Sequence, residues 1–283
     1  LKLLLWIVIG ICLGPGVLNL TLPTGFNTAA QFFGALFLFL AGWELQFFHL
    51  FKEARFYSIT FIGTFLVPFL TGYLLFEKSF FVATAFAISA LPVAIQLLKE
   101  KKLYNTLLAR RVITLASLCD VLAWIILAFL LPKKDVTGWL LSHWVVLSFF
   151  LGIFFGRLKS FPPKKSLAFL QMGICAPVFF IVLGWSLNFF ALFEFKTFLL
   201  IFAAAVTSKY LGSYVAARCA GASHAEAFNL SSLLNARGAM EILAASYAYK
   251  AQIISAEVFA ALVLLGIATA LLAIPTVKSA PHS

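Results

Sequence analysis

Residues 108–131 read LARRVITLASLCDVLAWIILAFLL. After its two arginines the stretch is apolar for the ~20 residues that a bilayer-spanning helix needs. One acid interrupts it: Asp120, at the thirteenth position, among Leu118, Cys119, Val121, Leu122 and Trp124. A carboxylate at that depth costs at least ~2.5–3.5 kcal/mol on insertion scales and marks function by default.

Stretches of this kind recur along the whole chain. Of its 283 residues 63% are hydrophobic and 11% charged, and 33 are Phe. A soluble domain of this size needs far more polar surface. Ten spans are expected, at 3–20, 28–48, 57–75, 79–98, 108–131, 138–156, 168–190, 197–217, 226–249 and 255–275, which makes the chain an all-α polytopic membrane protein. Short segments with Gly, Pro, Asn and charge separate them, such as Lys133-Lys134-Asp135 and 161–165.

The basic residues test that count. Ten spans place both chain ends on one side, which receives fourteen Lys and Arg, from Lys2 and Lys52 to Arg218 and Lys278; the other side receives five. The positive-inside rule makes the richer side cytoplasmic, and the same bias accounts for most of the net charge of +11. No single basic face supports a nucleic-acid footprint. Two of the 21 basic residues remain, Lys209 and Arg237, and both fall inside spans.

The second and seventh spans share a pattern. Residues 37–48 read FLFLAGWELQFF and residues 179–190 read FFIVLGWSLNFF, identical at six of twelve positions. The offset of 142 maps spans two to five onto spans seven to ten, and sets 89–92 beside 231–234. An odd number of crossings separates the two copies, so they run oppositely through the membrane. Inverted repeats belong to secondary transporters, with the substrate site near the midplane. The expected layout is a first repeat at 1–133 (scaffold 1–48, core 57–131), a linker helix at 134–166, and a second repeat at 167–283 (scaffold 168–190, core 197–275).

Two helices break at comparable places. Pro92 sits inside AFAISALPVAIQLL, where its missing N–H frees a carbonyl one turn back, and Gly238 weakens the ninth span within Asn235-Ala236-Arg237-Gly238. Paired interruptions point to a site made from discontinuous helices, whose ends offer partial charges to an ion; the alternative is a simple proline kink and a tolerated glycine.

Lys209 lies midway along the eighth span and requires an anion, which Asp120 or Glu241 must supply. Arg237 and Glu241, four apart, share a face of a continuous helix; their alternative role is to neutralise the broken half-helices. A structural ion pair with Lys209 is the corresponding alternative for Asp120. Glu44 and His49 suit an interfacial position, and His143 and His224 lie near span ends. Cys12, Cys119, Cys175 and Cys219 form no CxxC or Cys/His spacing, so neither a metal site nor a disulfide framework is indicated, and small apolar packing is expected of most of them. No catalytic triad, phosphate loop or cofactor motif appears, so an enzyme is not expected. The chain opens on Leu, as a fragment or processed chain would, and no cleavable signal peptide is evident.

At these residues the chain resembles the monovalent cation:proton antiporter family, the sodium/hydrogen exchanger-like carriers that include Kef-type potassium/proton antiporters. The resemblance rests on 10–15 (GICLGP), 38–45 (LFLAGWEL), 117–122 (SLCDVL), 179–184 (FFIVLG), 208–212 (SKYLG) and 235–241 (NARGAME), in the family's order. It implies that Asp120 is the ion-binding carboxylate, Lys209 the membrane lysine, and Arg237 and Glu241 the pair on the second broken helix. It also implies a homodimer, in which spans three to five and eight to ten move as a core.

Three departures stand beside it. Family members usually start one helix earlier, usually carry two more helices between spans six and seven, and have Asp, Asn or Gln where Cys119 stands.

The resulting expectation is exchange of Na⁺ or K⁺ for H⁺ by alternating access in the cell (inner) membrane. Asp120, Ser89 and Cys119 line the ion and proton site, Lys209, Arg237, Glu241 and Asn235 balance charge, and Pro92 and Gly238 mark the breaks. No resident metal or cofactor is expected beyond the transported ion. The rival readings are a sodium-coupled organic-anion symporter of the same fold and a non-transporting membrane sensor or subunit.

Overall fold

In a computed structural model, residues 2–15, 17–23, 25–44, 52–130, 136–156, 167, 169–185 and 193–277 are described. His49, the Lys133-Lys134-Asp135 segment and 161–165 lie outside them, as do the side chains of Glu44 and His143. Every regular element among the described residues is a helix. Five segments are long and apolar enough to cross a membrane, Ala54–Leu75, Phe80–Glu100, Leu107–Leu130, Phe195–Cys219 and Ala256–Thr276, and Thr28–Trp43, Val146–Gly156 and Leu170–Trp185 are shorter apolar helices.

The chain forms two compact units. The first, Leu1–Leu45 with Leu131–Phe193, holds α1 (Lys2–Leu13), α2 (Phe26–Glu44), α7 (Val136–Gly156) and α8 (Leu170–Trp185, whose first turns, Leu170–Cys175, are π-helical). The first helix is shorter than its apolar run, because Gly14-Pro15 end it at Leu13. Helices meet here through glycine: a Cβ on Gly152 of α7 would stand 1.9 Å from the Phe39 carbonyl of α2, and one on Gly42 2.2 Å from Phe149 O. On α1 and α8, Gly10 meets Ile181 O at 2.2 Å and Gly184 meets Ile7 O at 2.5 Å. Small residues allow backbones to approach where lipid removes the hydrophobic drive between helices. The glycines of the repeated Gly-Trp pair, Gly42 and Gly184, are both such contacts.

The second unit, Gln46–Leu130 with Glu194–Ser283, holds α3 (Ala54–Leu75, with a π-helical turn at Ile62–Leu66), α4 (Phe80–Ala87), α5 (Leu91–Glu100), α6 (Leu107–Leu130), α9 (Phe195–Cys219), α10 (His224–Asn235), α11 (Ala239–Lys250) and α12 (Ala256–Thr276). One local pattern occurs twice in it. Ser79 caps α4 at Val82 N (3.3 Å) and Ser223 caps α10 at Glu226 N (3.2 Å). Each half-helix then stops for three residues, Ile88–Ala90 and Ala236–Gly238, before α5 and α11 begin. Those end on a left-handed residue, Lys102 (φ 58) and Gln252 (φ 57), whose C-terminal neighbours bond back alike: Leu103 N to Leu98 O at 2.8 Å, Ile253 N to Ala248 O at 2.9 Å. Thr106 and Ser255 cap the helices that follow, at Ala109 N and Val258 N.

The breaks lie 148 residues apart, not 142: the capping serines Ser79 and Ser223 already stand 144 apart, and α10 has 12 residues where α4 has 8, about one extra helical turn. Pro92 is the second residue of α5, where a missing N–H is harmless, so it starts a half-helix instead of kinking a continuous one.

The Gly152 contact sets a test. Gly152→Val should lower the melting temperature of detergent-solubilised protein and its folded yield on size exclusion, with an overpacking cost of roughly 1–3 kcal/mol. Gly173→Val, at a position a Cβ would approach no closer than 3.2 Å to a ring atom of Phe169, should change both far less.

Candidate functional site: two broken helices and their buried charges

An α-helix leaves its last four carbonyls without intrahelical donors, and inside a bilayer no water replaces them. For α4 these are Thr84, Ala85, Phe86 and Ala87. Each has found a partner. The Ile88 N–H reaches Thr84 O at 3.1 Å. Arg237, from the other break, donates Nη1 to Ala85 O and Nη2 to Phe86 O, both at 2.6 Å. Lys209 Nζ of α9 donates to Ala87 O. Both buried cations therefore sit at the negative end of the α4 dipole.

The second broken helix is served by neutral donors. Ser89 Oγ donates to Leu234 O at 3.1 Å, and Ala90 N donates to Ala236 O at 2.9 Å, which ties the breaks directly together. Arg237 N donates to Thr269 Oγ1 of α12 at 3.2 Å. Thr269 escaped the sequence reading; a polar residue within Leu265–Ala273 of an otherwise apolar span was its only signal. Gly238 is extended (φ 169) and precedes α11.

Arg237 and Glu241 pair at 2.9 Å although the helix breaks at Arg237, and both side chains are fully buried. Glu241 lies in the first turn of α11, where a carboxylate suits the dipole. Lys209, also fully buried, forms no ion pair with Asp120 or Glu241 among the described residues. Its hydrogen bond goes to the neutral Ala87 carbonyl, while Asp120 and Glu241 act on it through their charges alone. The helix break supplies partial negative charge that side-chain pairing rules do not count.

Asp120 is 1% exposed, and among the described residues neither of its carboxylate oxygens has a hydrogen-bond partner. The Ser89 N–H faces it without closing a bond, and Lys209 is its charged neighbour. Cys119 is fully buried beside it, with Ser89, Lys209 and Asp120 around the thiol. Asn235, the last residue of α10, keeps Oδ1 buried and without a partner among the described residues. The structure thus gathers Ser89, Lys209, Arg237 and Glu241 at the crossing, with Asp120 and Cys119 against Ser89. His224 stands apart, at the exposed start of α10 in a 2.5 Å bond to Tyr214 Oη.

A second charged cluster ties the starts of α3, α6 and α10. Arg111 binds Glu53 through Nε (2.9 Å) and Nη2 (3.0 Å) and Glu226 through Nη1 (2.6 Å), with its guanidinium 3.9 Å over the Phe56 ring.

Two helices broken inside the membrane, joined at their breaks, with cations on a helix end and an unpartnered acid beside them, define a membrane ion carrier. A model of the sodium/hydrogen exchanger transmembrane family matches residues 2–162 and 137–279, and the chain belongs to that family. Members of the family are transporters, not enzymes.

Two curated relatives and a solved structure agree. The Na(+)/H(+) antiporter NhaS4 of Synechocystis sp. is 24% identical over 96% of this chain and 88% of its own length. That alignment runs over 365 positions, so at least 82 of them have no residue among the 283 here. The Cation/H(+) antiporter 19 of Arabidopsis thaliana is 32% identical over 50% of this chain and 21% of its own length. The sodium proton antiporter MjNhaP1 of Methanocaldococcus jannaschii has the same fold, with a TM-score of 0.61 at 16% identity over 97% of this chain and 89% of that one.

The buried pair can be dissected by thermal melting. Arg237→Met leaves Glu241 charged and alone and two carbonyls bare, a loss of roughly 3–5 kcal/mol. Glu241→Gln should be milder, since Arg237 keeps both carbonyls. Adding Glu241→Gln to Arg237→Met should recover part of the loss, and strict additivity of the two changes would contradict the pairing.

Proposed function

We propose that this chain is a secondary active transporter that exchanges a monovalent cation, Na⁺ or K⁺, for H⁺, with Asp120 as the group for which the two compete. The carrying observation is a buried carboxylate with both oxygens unpartnered, against the junction of two broken helices. A bare charge in such a place is too costly to persist. The carboxyl therefore holds a proton or a cation, and each displaces the other. Ser89, Cys119 and backbone groups at the breaks complete the site, with Asn235 at the end of α10. Arg237, Glu241 and Lys209 hold the crossing together, because their charges are spent on each other and on the α4 carbonyls.

With either ion bound, the crossing carries the same charge, so the loaded core moves between membrane faces and the empty core does not. The two matched half-helix patterns support an inverted repeat as the origin of the two faces. The protein sits in the cell (inner) membrane with both ends of these residues cytoplasmic, as the Lys and Arg distribution indicates, and works as a homodimer, as the family resemblance implies. Membership of the exchanger family does not favour an organic-anion symporter or a non-transporting sensor.

The test is exchange in proteoliposomes under an imposed pH gradient. Cation-dependent proton flux should be present in the unchanged chain, and in Asp120→Asn it should fall to the leak of protein-free vesicles. Undiminished exchange in folded Asp120→Asn overturns the scheme.

A further inference from the structure

Cys119 and Asp120 are consecutive on α6, so their side chains leave the helix ~100° apart, yet both meet Ser89. The Ser89 hydroxyl lies against the thiol, and its backbone N–H faces the carboxylate. The thiol is fully buried and feels the charges of Asp120 and Lys209, while the carboxylate beside it is 1% exposed with both oxygens free. Most backbone oxygens at the breaks are already engaged: Ala85, Phe86 and Ala87 accept from the two cations, Leu234 from Ser89, and Ala236 from Ala90. Asn235 Oδ1 and Glu241 Oε2 are buried side-chain oxygens left over, but neither is next to Asp120 in the chain as the thiol is. The side chain next to the unpartnered acid thus presents sulfur where Ser, Asn or Asp presents oxygen.

Hard cations are held by oxygen, and sulfur is a larger, softer and weaker partner for them. The loss is greatest for small ions, which need close, strong donors to replace a tightly held water shell; selectivity among alkali ions depends on the number and field strength of the ligands. We propose, resting on the exchange reading above, that Cys119 sets the ion preference of the crossing: it weakens the hold on Li⁺ and Na⁺ and favours the larger K⁺ and Rb⁺, with Tl⁺ as their soft analogue.

The experiment uses the full chain with Cys119→Ser and Cys119→Asn in proteoliposomes, measuring half-saturating Li⁺, Na⁺, K⁺, Rb⁺ and Tl⁺ under a pH gradient. Cation-specific shifts in melting temperature, measured in detergent at alkaline pH, read binding without transport. The unchanged chain should half-saturate at K⁺ and Rb⁺ concentrations about tenfold below that for Na⁺, and the melting shifts should follow that order. Cys119→Ser should move the order toward Na⁺ in both readouts, and Cys119→Asn further. An unchanged chain that prefers Na⁺ or Li⁺, or an ion order that Cys119→Ser leaves alone, overturns the proposal. Exchange that needs Asp120 but ignores Cys119 overturns this inference only. A chain with neither cation exchange nor a cation-specific melting shift overturns the exchange reading with it.

Discussion

A helix that stops inside a bilayer must find donors for its last carbonyls, and the rest of this site follows from how α4 meets that demand. Three of its four terminal carbonyls take their hydrogen bonds from Arg237 and Lys209. Burial of two cations is tolerable only because a helix end, with its partial negative charge, and Glu241 receive them. The same arrangement occupies the cations, so Asp120 is left without a protein partner. In the proposed scheme stability and function are separated at the crossing: Arg237, Lys209 and Glu241 are bonded within the protein, with only Arg237 Nε and Glu241 Oε2 left over, whereas both oxygens of Asp120 stay open to an ion.

The two breaks support each other. Each three-residue gap bonds only in part with its own half-helices, and each supplies what the other lacks: the Ala90 N–H meets the Ala236 carbonyl, the Ser89 hydroxyl meets Leu234 O, and Arg237 reaches back to Ala85 and Phe86. In the same unit, Gly63 and Gly212 bring α3 and α9 so close that a Cβ on either would stand under 2.5 Å from the other's carbonyl. That contact lies within the π-helical turn of α3 and about one turn from Lys209, so backbone contact helps to hold the helix that carries the lysine.

Much of this was legible in the residues themselves. Asp120, Lys209, Arg237 and Glu241 stood out because charge is rare in apolar spans, and Pro92 announced an interruption. What the residues do not show is a partner that is backbone. Lys209 called for an anion, and side-chain inventory offered only Asp120 or Glu241; the carbonyl of Ala87 carries no mark in the sequence and becomes an acceptor only once α4 stops there. The register of the breaks differs for another reason: the offset taken from the Gly-Trp windows carries neither the two-residue shift of the helix starts nor the additional turn of α10, four residues, which together move the second break six residues along. The first helix was read too long because hydropathy continues through Gly14-Pro15 while the backbone does not.

In the proposed exchange the carboxyl of Asp120, and not that of Glu241, trades a proton for a cation. Infrared difference spectroscopy of the membrane-embedded protein reads this directly, by comparing the protonated-carboxyl stretch before and after cation addition. A band should vanish when Na⁺ or K⁺ is added, be absent in Asp120→Asn and persist in Glu241→Gln. A cation-sensitive band that survives in Asp120→Asn, or that disappears with Glu241→Gln alone, would contradict it.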